Sequence, residues 1–118
     1  MIRDIADTPV KIAIVAGETS GDELGAPLMK SLKSINPSIE FIGVGGSKMT
    51  SEGLESYFEM SEISVMGIIE PLLNLRKLLK LRKGLKKYLL HQNPDIFIGV
   101  DSPDFNIPIA NFLKKNLK

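Results

Sequence analysis

Apolar residues fall along the chain in short strand-length runs and longer periodic stretches. Val10 to Ala16, interrupted only by Lys11, is a near-continuous apolar run, and Ile39 to Val44 and Ile96 to Val100 read the same way. A strand with one wet face alternates, whereas a strand covered on both faces of a parallel sheet does not, so these three are predicted as buried parallel strands. They end in Gly17, Gly45-Gly46 and Asp101. Between the first two, Ser20 stands three residues before Glu23, a capping-box spacing that predicts a helix from near Gly21. Leu24, Leu28, Leu32 and Ile35 would form its apolar stripe, and Asn36-Pro37 would stop it. Pro27 lies inside this stretch and predicts a kink, or a helix that becomes regular only after it, because proline removes a backbone donor and crowds the preceding turn. Ile68 to Leu90 is the longest periodic segment and predicts one long helix, with Pro71 in its first turn. From Ser47 to Gly67 the pattern is irregular, with a short strand expected near Leu54 to Tyr57, and a last helix is expected from Phe105 or Asn106 onward.

Strands alternating with helices predict an α/β fold, a Rossmann-like parallel sheet with flanking helices and right-handed crossovers. With 118 residues the chain has the size of one domain, residues 1–118. It stops at Lys118, in or just after a helix that should lead to a further strand, so an exposed sheet edge is expected and the polypeptide reads as part of something larger.

Charge changes this picture locally. The formal net charge of +1 argues against general nucleic-acid binding, yet Asn74 to Lys87 carries Arg76, Lys77, Lys80, Arg82, Lys83, Lys86 and Lys87 with no acidic residue. Apolar residues interleave with them, and Leu72-Leu73, Leu78-Leu79 and Leu89-Leu90 are adjacent pairs that point to different sides of a helix. Such a surface suits the headgroup boundary of an anionic membrane, although a packed stripe with a solvated basic face has the same pattern. No apolar run approaches the ~20 residues needed to span a bilayer, and Met1 to Pro9 lack the apolar core of a secretory signal. There is no cysteine, hence no disulfide and no thiolate, and no metal site is expected. His91, the single histidine, falls at the end of the basic helix, where it can meet exposed carbonyls.

In open parallel sheets ligands sit beyond the carboxyl ends of the strands, which selects the loops Gly17 to Asp22, Gly43 to Met49 and Asp101 to Asn106. The first brings backbone N–H groups and a helix start toward an anionic or hydroxylated ligand; it is neither a Walker loop nor a dinucleotide fingerprint. Glu18 precedes the expected cap and is not needed for it. Asp101 directly follows apolar strand residues and Asp104 follows Pro103; each is either a helix cap or a general base of the kind that takes a proton from an attacking hydroxyl.

Four segments in order carry a resemblance: Ile14-Val15-Ala16-Gly17-Glu18-Thr19-Ser20-Gly21-Asp22, Phe41-Ile42-Gly43-Val44-Gly45-Gly46, Ser64-Val65-Met66-Gly67-Ile68-Ile69-Glu70, and Asp95 to Asn106. Together they resemble the amino-terminal part of the lipid-A-disaccharide synthase family, from about Lys11 to the end of the chain. The resemblance implies a glycosyltransferase of two Rossmann-like domains, with the acceptor in the amino-terminal one and the UDP-sugar in the carboxy-terminal one, which is missing here. It implies transfer of 2,3-diacylglucosamine from UDP-2,3-diacylglucosamine to 2,3-diacylglucosamine 1-phosphate, with UDP released and no cofactor, at the cytoplasmic face of the inner membrane. On this chain the family's functional glutamate falls on Glu18 and its base on Asp101. Acceptor binding falls on the same two loops, at Gly17, Ser20, Gly21, Asp22, Asp104 and Asn106. The membrane patch falls on Met66, Ile68, Ile69, Leu72, Leu73, Arg76, Lys77 and Lys80. Ser47 stands where the family often has proline, and Pro27 and Pro71 are unusual in their helices. The expectation is an acceptor-side part inactive alone; the rivals are a non-catalytic membrane-binding remnant and a generic nucleotide-binding domain, the last disfavoured by the absent phosphate fingerprints.

Overall fold

A computed structural model describes residues 9–63 and 74–117. The chain runs β1 (Val10–Val15), α1 (Thr19–Ile35), β2 (Ile39–Val44), α2 (Ser47–Ser51), β3 (Glu55–Ser56), α3 (Leu75–Gln92), β4 (Ile96–Gly99) and α4 (Pro103–Asn116). The strands form one parallel sheet in the order β3-β2-β1-β4. The α/β reading therefore holds, and the short strand expected near residue 54 is β3.

Alternate residues of the two central strands face opposite layers. Ile12, Ile14, Ala16 and Phe41 pack with Ala26, Met29, Met49 and Leu54 beneath α1 and α2. Ala13, Val15, Ile42 and Val44 pack with Leu85, Leu89, Phe105, Ile109 and Leu113 beneath α3 and α4. Burial on both faces is why these strands carry apolar residues without alternation. Gly43 has φ +136, and a Cβ there would collide with the Ile14 carbonyl oxygen, so the close approach of β2 to β1 needs glycine.

Four expectations are corrected. The helix α1 begins at Thr19 rather than near Gly21, with Glu18 at the N-cap and no side-chain capping bond, so Ser20 and Glu23 form no capping box. Second, its inward face is only in part the leucine stripe: Gly21, Asp22, Gly25, Ala26 and Met29 are buried and Leu32 is half-buried against the same core, while Leu24 and Ile35 are each 66% exposed. Small residues let the helix backbone sit close to the sheet and α2. The helix continues through Pro27, which is exposed, as is Glu23, the residue whose carbonyl lacks a donor because proline has no N–H. The helix α3 is described from Leu75, with Asn74 as its N-cap, and the earlier part of the long helix expected from Ile68, including Pro71, lies outside the described residues.

Third, β4 is not fully buried. Ile96 is 47% exposed, Phe97 and Ile98 are half-buried and Gly99 is exposed, because β4 is the outer strand beside β1. This is the open sheet edge expected above. Fourth, α4 begins at Pro103, earlier than Phe105, as proline's fixed φ suits a first helical turn.

Among the leucine pairs of α3, Leu78 packs inward and Leu79 is 42% exposed, whereas Leu89 and Leu90 both join the core. His91 lies in the last turn, where a basic residue meets the negative end of the helix. Tyr88 stacks on Tyr57 at 4.3 Å, and burial, followed by Glu55, Glu40 and Tyr57, raises its phenol pKa.

Candidate active site

Three helices begin where β1, β2 and β4 end, so three sets of free backbone N–H groups converge on one rim of the sheet. The rim treats them differently. At the start of α2 the N-cap is Gly46, which has no side chain to offer, and Asp22 supplies the cap from α1 instead. Its carboxylate accepts from Gly46 N (2.9 Å) and Met49 N (2.9 Å) on Oδ1 and from Lys48 N (3.1 Å) on Oδ2. Asp22 is 4% exposed, and a carboxylate that deep is tolerable because three N–H donors satisfy it.

At the starts of α1 and α4 the N-cap side chain makes no capping bond, and no other side chain among the described residues supplies one. Glu18, the N-cap of α1, is exposed at the rim next to buried Gly17, and Thr19 and Ser20 are exposed beside it. Ser102, the N-cap of α4, is held in the left-handed region at φ 47 and does not bond the helix through its side chain.

That bend turns Asp101 away from its own helix. Asp101 Oδ1 accepts from Gly17 N at 2.7 Å, a bond across 84 residues that ties the end of β4 to the loop after β1. The capping alternative for Asp101 is thereby excluded. Its other oxygen, Oδ2, is buried and has no hydrogen-bond donor among the described residues. Gly21 fixes where that oxygen lies: a Cβ on Gly21 would overlap the Asp101 carboxylate, so only glycine lets the carboxylate rest against the first turn of α1. Gly17, Gly21 and Asp101 thus meet at one place, with exposed Glu18 next in the chain to Gly17.

Asn106 holds the same corner from below. Its side-chain nitrogen donates to the carbonyls of Val15 (3.2 Å) and Asp101 (2.6 Å), and its oxygen is buried without a donor among the described residues. Asp104 is exposed in the first turn of α4, and its backbone oxygen accepts from Arg82 (3.0 Å). A shallow pocket lined by Gly99, Val100, Asp101, Pro103, Asn106 and Ile107 opens beside Asp101 at the exposed edge of β4.

Of the residues expected in the site, Gly17, Gly21, Asp101 and Asn106 are brought together. Asp22 lies in the framework with both oxygens engaged, and Glu18, Ser20 and Asp104 are on the rim. Sequence reasoning did not find the role of Asp22, because its partners stand 24 to 27 positions away and no local signal marks them. Nor did it find Ser102, whose hydroxyl lies against Gly17. Met66, Ile68, Ile69, Leu72 and Leu73 lie outside the described residues; Arg76, Lys77 and Lys80 are exposed on the first turns of α3. No helix among the described residues is long and apolar enough to cross a membrane, and no group of three or more acidic or histidine side chains among them is placed to hold a metal ion.

The family described as lipid-A-disaccharide synthetase matches residues 12–118. A lipid-A-disaccharide synthase of Pseudomonas fluorescens (strain Pf0-1) is 58% identical over 106 residues, which is 90% of this chain and 28% of that protein. Those of Salmonella paratyphi B and Salmonella newport are each 50% identical over 110 residues, 93% of this chain and 29% of theirs. The chain spans less than a third of the length of these curated relatives.

Proposed function

The chain belongs to the lipid-A-disaccharide synthetase family, and from that premise we propose that it forms the acceptor side of a glycosyltransferase that makes the lipid A disaccharide. In this reading the donor is UDP-2,3-diacylglucosamine and the acceptor 2,3-diacylglucosamine 1-phosphate. A second Rossmann-like domain, carboxy-terminal to residues 1–118, binds the UDP-sugar, and the chain alone does not catalyse transfer.

The observation that carries the reading is the divided carboxylate of Asp101: one oxygen fixed by Gly17 N, the other buried at the rim without a donor among the described residues. A fixed acceptor atom at the mouth of an open sheet is placed to receive the proton of an acceptor hydroxyl as that oxygen attacks the sugar's anomeric carbon. The carbon–oxygen bond to UDP breaks in the same displacement, and UDP leaves with the electron pair. The first turn of α1, exposed at Thr19 and Ser20, offers backbone amides to the polar head of the acceptor, with Glu18 at its edge. Asp22 and Asn106 hold the two loops in place rather than touch the reacting atoms.

The membrane reading is part of the same proposal. Met66, Ile68, Ile69, Leu72 and Leu73 with Arg76, Lys77 and Lys80 are the residues we propose as its contacts with the cytoplasmic face of the inner membrane, where a diacylated acceptor resides. The exposure of Leu75 (47%) and Leu79 (42%) beside these lysines supports it.

The test uses the complete longer protein. Asp101→Ala there should lower turnover by about 10²–10⁴-fold, the usual contribution of a general base, while the acceptor KM changes little. Turnover kept within threefold of the parent would overturn the assignment of Asp101.

A further inference from the structure

Four cations converge between the two helices that cover one face of the sheet. Arg82, Lys83, Lys86 and Lys87 of α3, with Leu79 and Phe112, line a groove of about 400 Å³ between α3 and α4. No acidic residue lines it. Two of the cations are held in place: Arg82 Nη1 donates to the Asp104 carbonyl, and Lys86 Nζ lies 5.5 Å above the centre of the Phe112 ring. The ion pairs found among the described residues, Lys33–Glu52 and Lys48–Glu23, involve none of the four. A groove lined by four cations and no acidic residue, with none of the four ion-paired among the described residues, favours an anion.

The apolar part narrows the choice of anion. Leu75, Leu79, Arg82, Lys83 and Lys86 recur at intervals of three and four and so share one face of α3, exposed leucines toward its start and cations further along. Phe112 gives the groove an aromatic wall. Free phosphate or a nucleotide would gain nothing from Leu75 and Leu79, whereas an amphiphile lying along the helix meets apolar surface at one end and positive charge at the other.

We propose that this groove is a discrete binding site for the phosphate headgroup of an anionic membrane phospholipid, distinct from the apolar patch ending at Lys80. It rests on the membrane-surface reading above and adds a stoichiometric site to it. Phosphate oxygens meet Lys83 and Lys86, with Arg82 and Lys87 flanking, while the first carbons of the acyl chains lie on Leu79 and Phe112.

The test is a titration of the isotopically labelled chain, followed by backbone amide resonances, with dihexanoyl phosphatidylglycerol kept below its micelle-forming concentration. Saturable shifts confined to α3 and α4 around Leu79, Lys83, Lys86 and Phe112 are expected, with much weaker effects from dihexanoyl phosphatidylcholine or inorganic phosphate. Each cation near an anionic lipid surface is worth about fivefold in binding, so Lys83→Gln/Lys86→Gln should weaken affinity about 25-fold. Lys30→Gln/Lys114→Gln, the same change of net charge at exposed positions outside the groove, should weaken it less than threefold. Equal losses for the two pairs, non-saturating shifts spread over the surface, or equal affinity for inorganic phosphate would each overturn the proposal. Ile69→Ser/Leu73→Ser separates it from the patch reading. Retention of soluble-lipid binding by that variant supports the groove whether or not vesicle partitioning falls, whereas loss of soluble-lipid binding moves the site to the patch and overturns it.

Discussion

Asp22 and Asp101 reach the same rim of the sheet from opposite sides of β1, and each bonds backbone N–H groups of a loop distant in sequence. On the β2 side every lone-pair direction that matters is used: three amides converge on Asp22 and the carboxylate closes α2 onto α1. On the β4 side one amide holds Asp101 and one oxygen is left over. The difference separates structure from chemistry more sharply than burial does. A saturated carboxylate is a clamp, and a carboxylate anchored by one oxygen is a positioned acceptor with capacity in reserve.

The largest expected effect is on the clamp. Asp22→Ala leaves three amides without their acceptor, one of them on buried Met49, and removes charge-assisted bonds worth more than neutral ones. A loss of about 3 kcal/mol of unfolding free energy is expected in urea denaturation, against about 1 kcal/mol for Asp101→Ala, which loses one bond and also removes a buried oxygen that had no donor. Equal losses for the two would erase the distinction between the two sides of the rim.

The contrast sharpens at Gly21, where a methyl group would overlap the Asp101 carboxylate. Gly21→Ala gains up to about 1 kcal/mol in helix propensity and loses a comparable amount to the collision, so net stability should change by less than about 1 kcal/mol. In the longer protein, turnover should nevertheless fall about tenfold or more, because the carboxylate is displaced. Combined with Asp101→Ala, the Gly21 substitution should cost nothing further; an additive loss would mean that Gly21 acts through something other than that side chain.

The same contrast explains what could be read along the chain. The central strands were legible because burial on both faces leaves a continuous apolar run, and β2 was placed at Ile39–Val44 from that alone. The partial exposure of β4 was not legible, because an apolar strand looks the same whether or not a neighbour covers its outer edge. In α1 the period was right and the phase wrong. Leu24, Leu28, Leu32 and Ile35 repeat at helical spacing, but so do Gly21, Gly25 and Met29, and tight packing buried the small set with only Leu32 of the stripe reaching the core. Asp101 was singled out by its place at a strand end. That its carboxylate would cross to Gly17 depends on Ser102 adopting the left-handed region, which a serine does not advertise. The role of Asp22 depends on the packing of α2 against α1, a tertiary fact without a local signature.

The smallest expected effect bears on the open side of the rim. Ser20 and Glu23 have the spacing of a capping box, and were they one, Ser20→Ala would cost about 1 kcal/mol by exposing a free amide at the helix start. In the structure Ser20 lies inside the first turn and Glu18 occupies the N-cap without a side-chain capping bond, so Ser20 has no capping bond to lose. Alanine is also the better helix former, by a few tenths of a kcal/mol. Ser20→Ala should therefore leave the chain within about 0.5 kcal/mol of the parent in urea denaturation, on either side of zero. Glu23→Ala should also lack a capping penalty, since Glu23 is exposed and its ion pair with Lys48, at 3.5 Å on the surface, contributes at most about 0.5 kcal/mol. A loss of 1 kcal/mol or more for Ser20→Ala, absent when Glu23 is already alanine, would restore the capping box. The first turn of α1 would then be closed in the same manner as α2, and its amides would no longer be free for an acceptor.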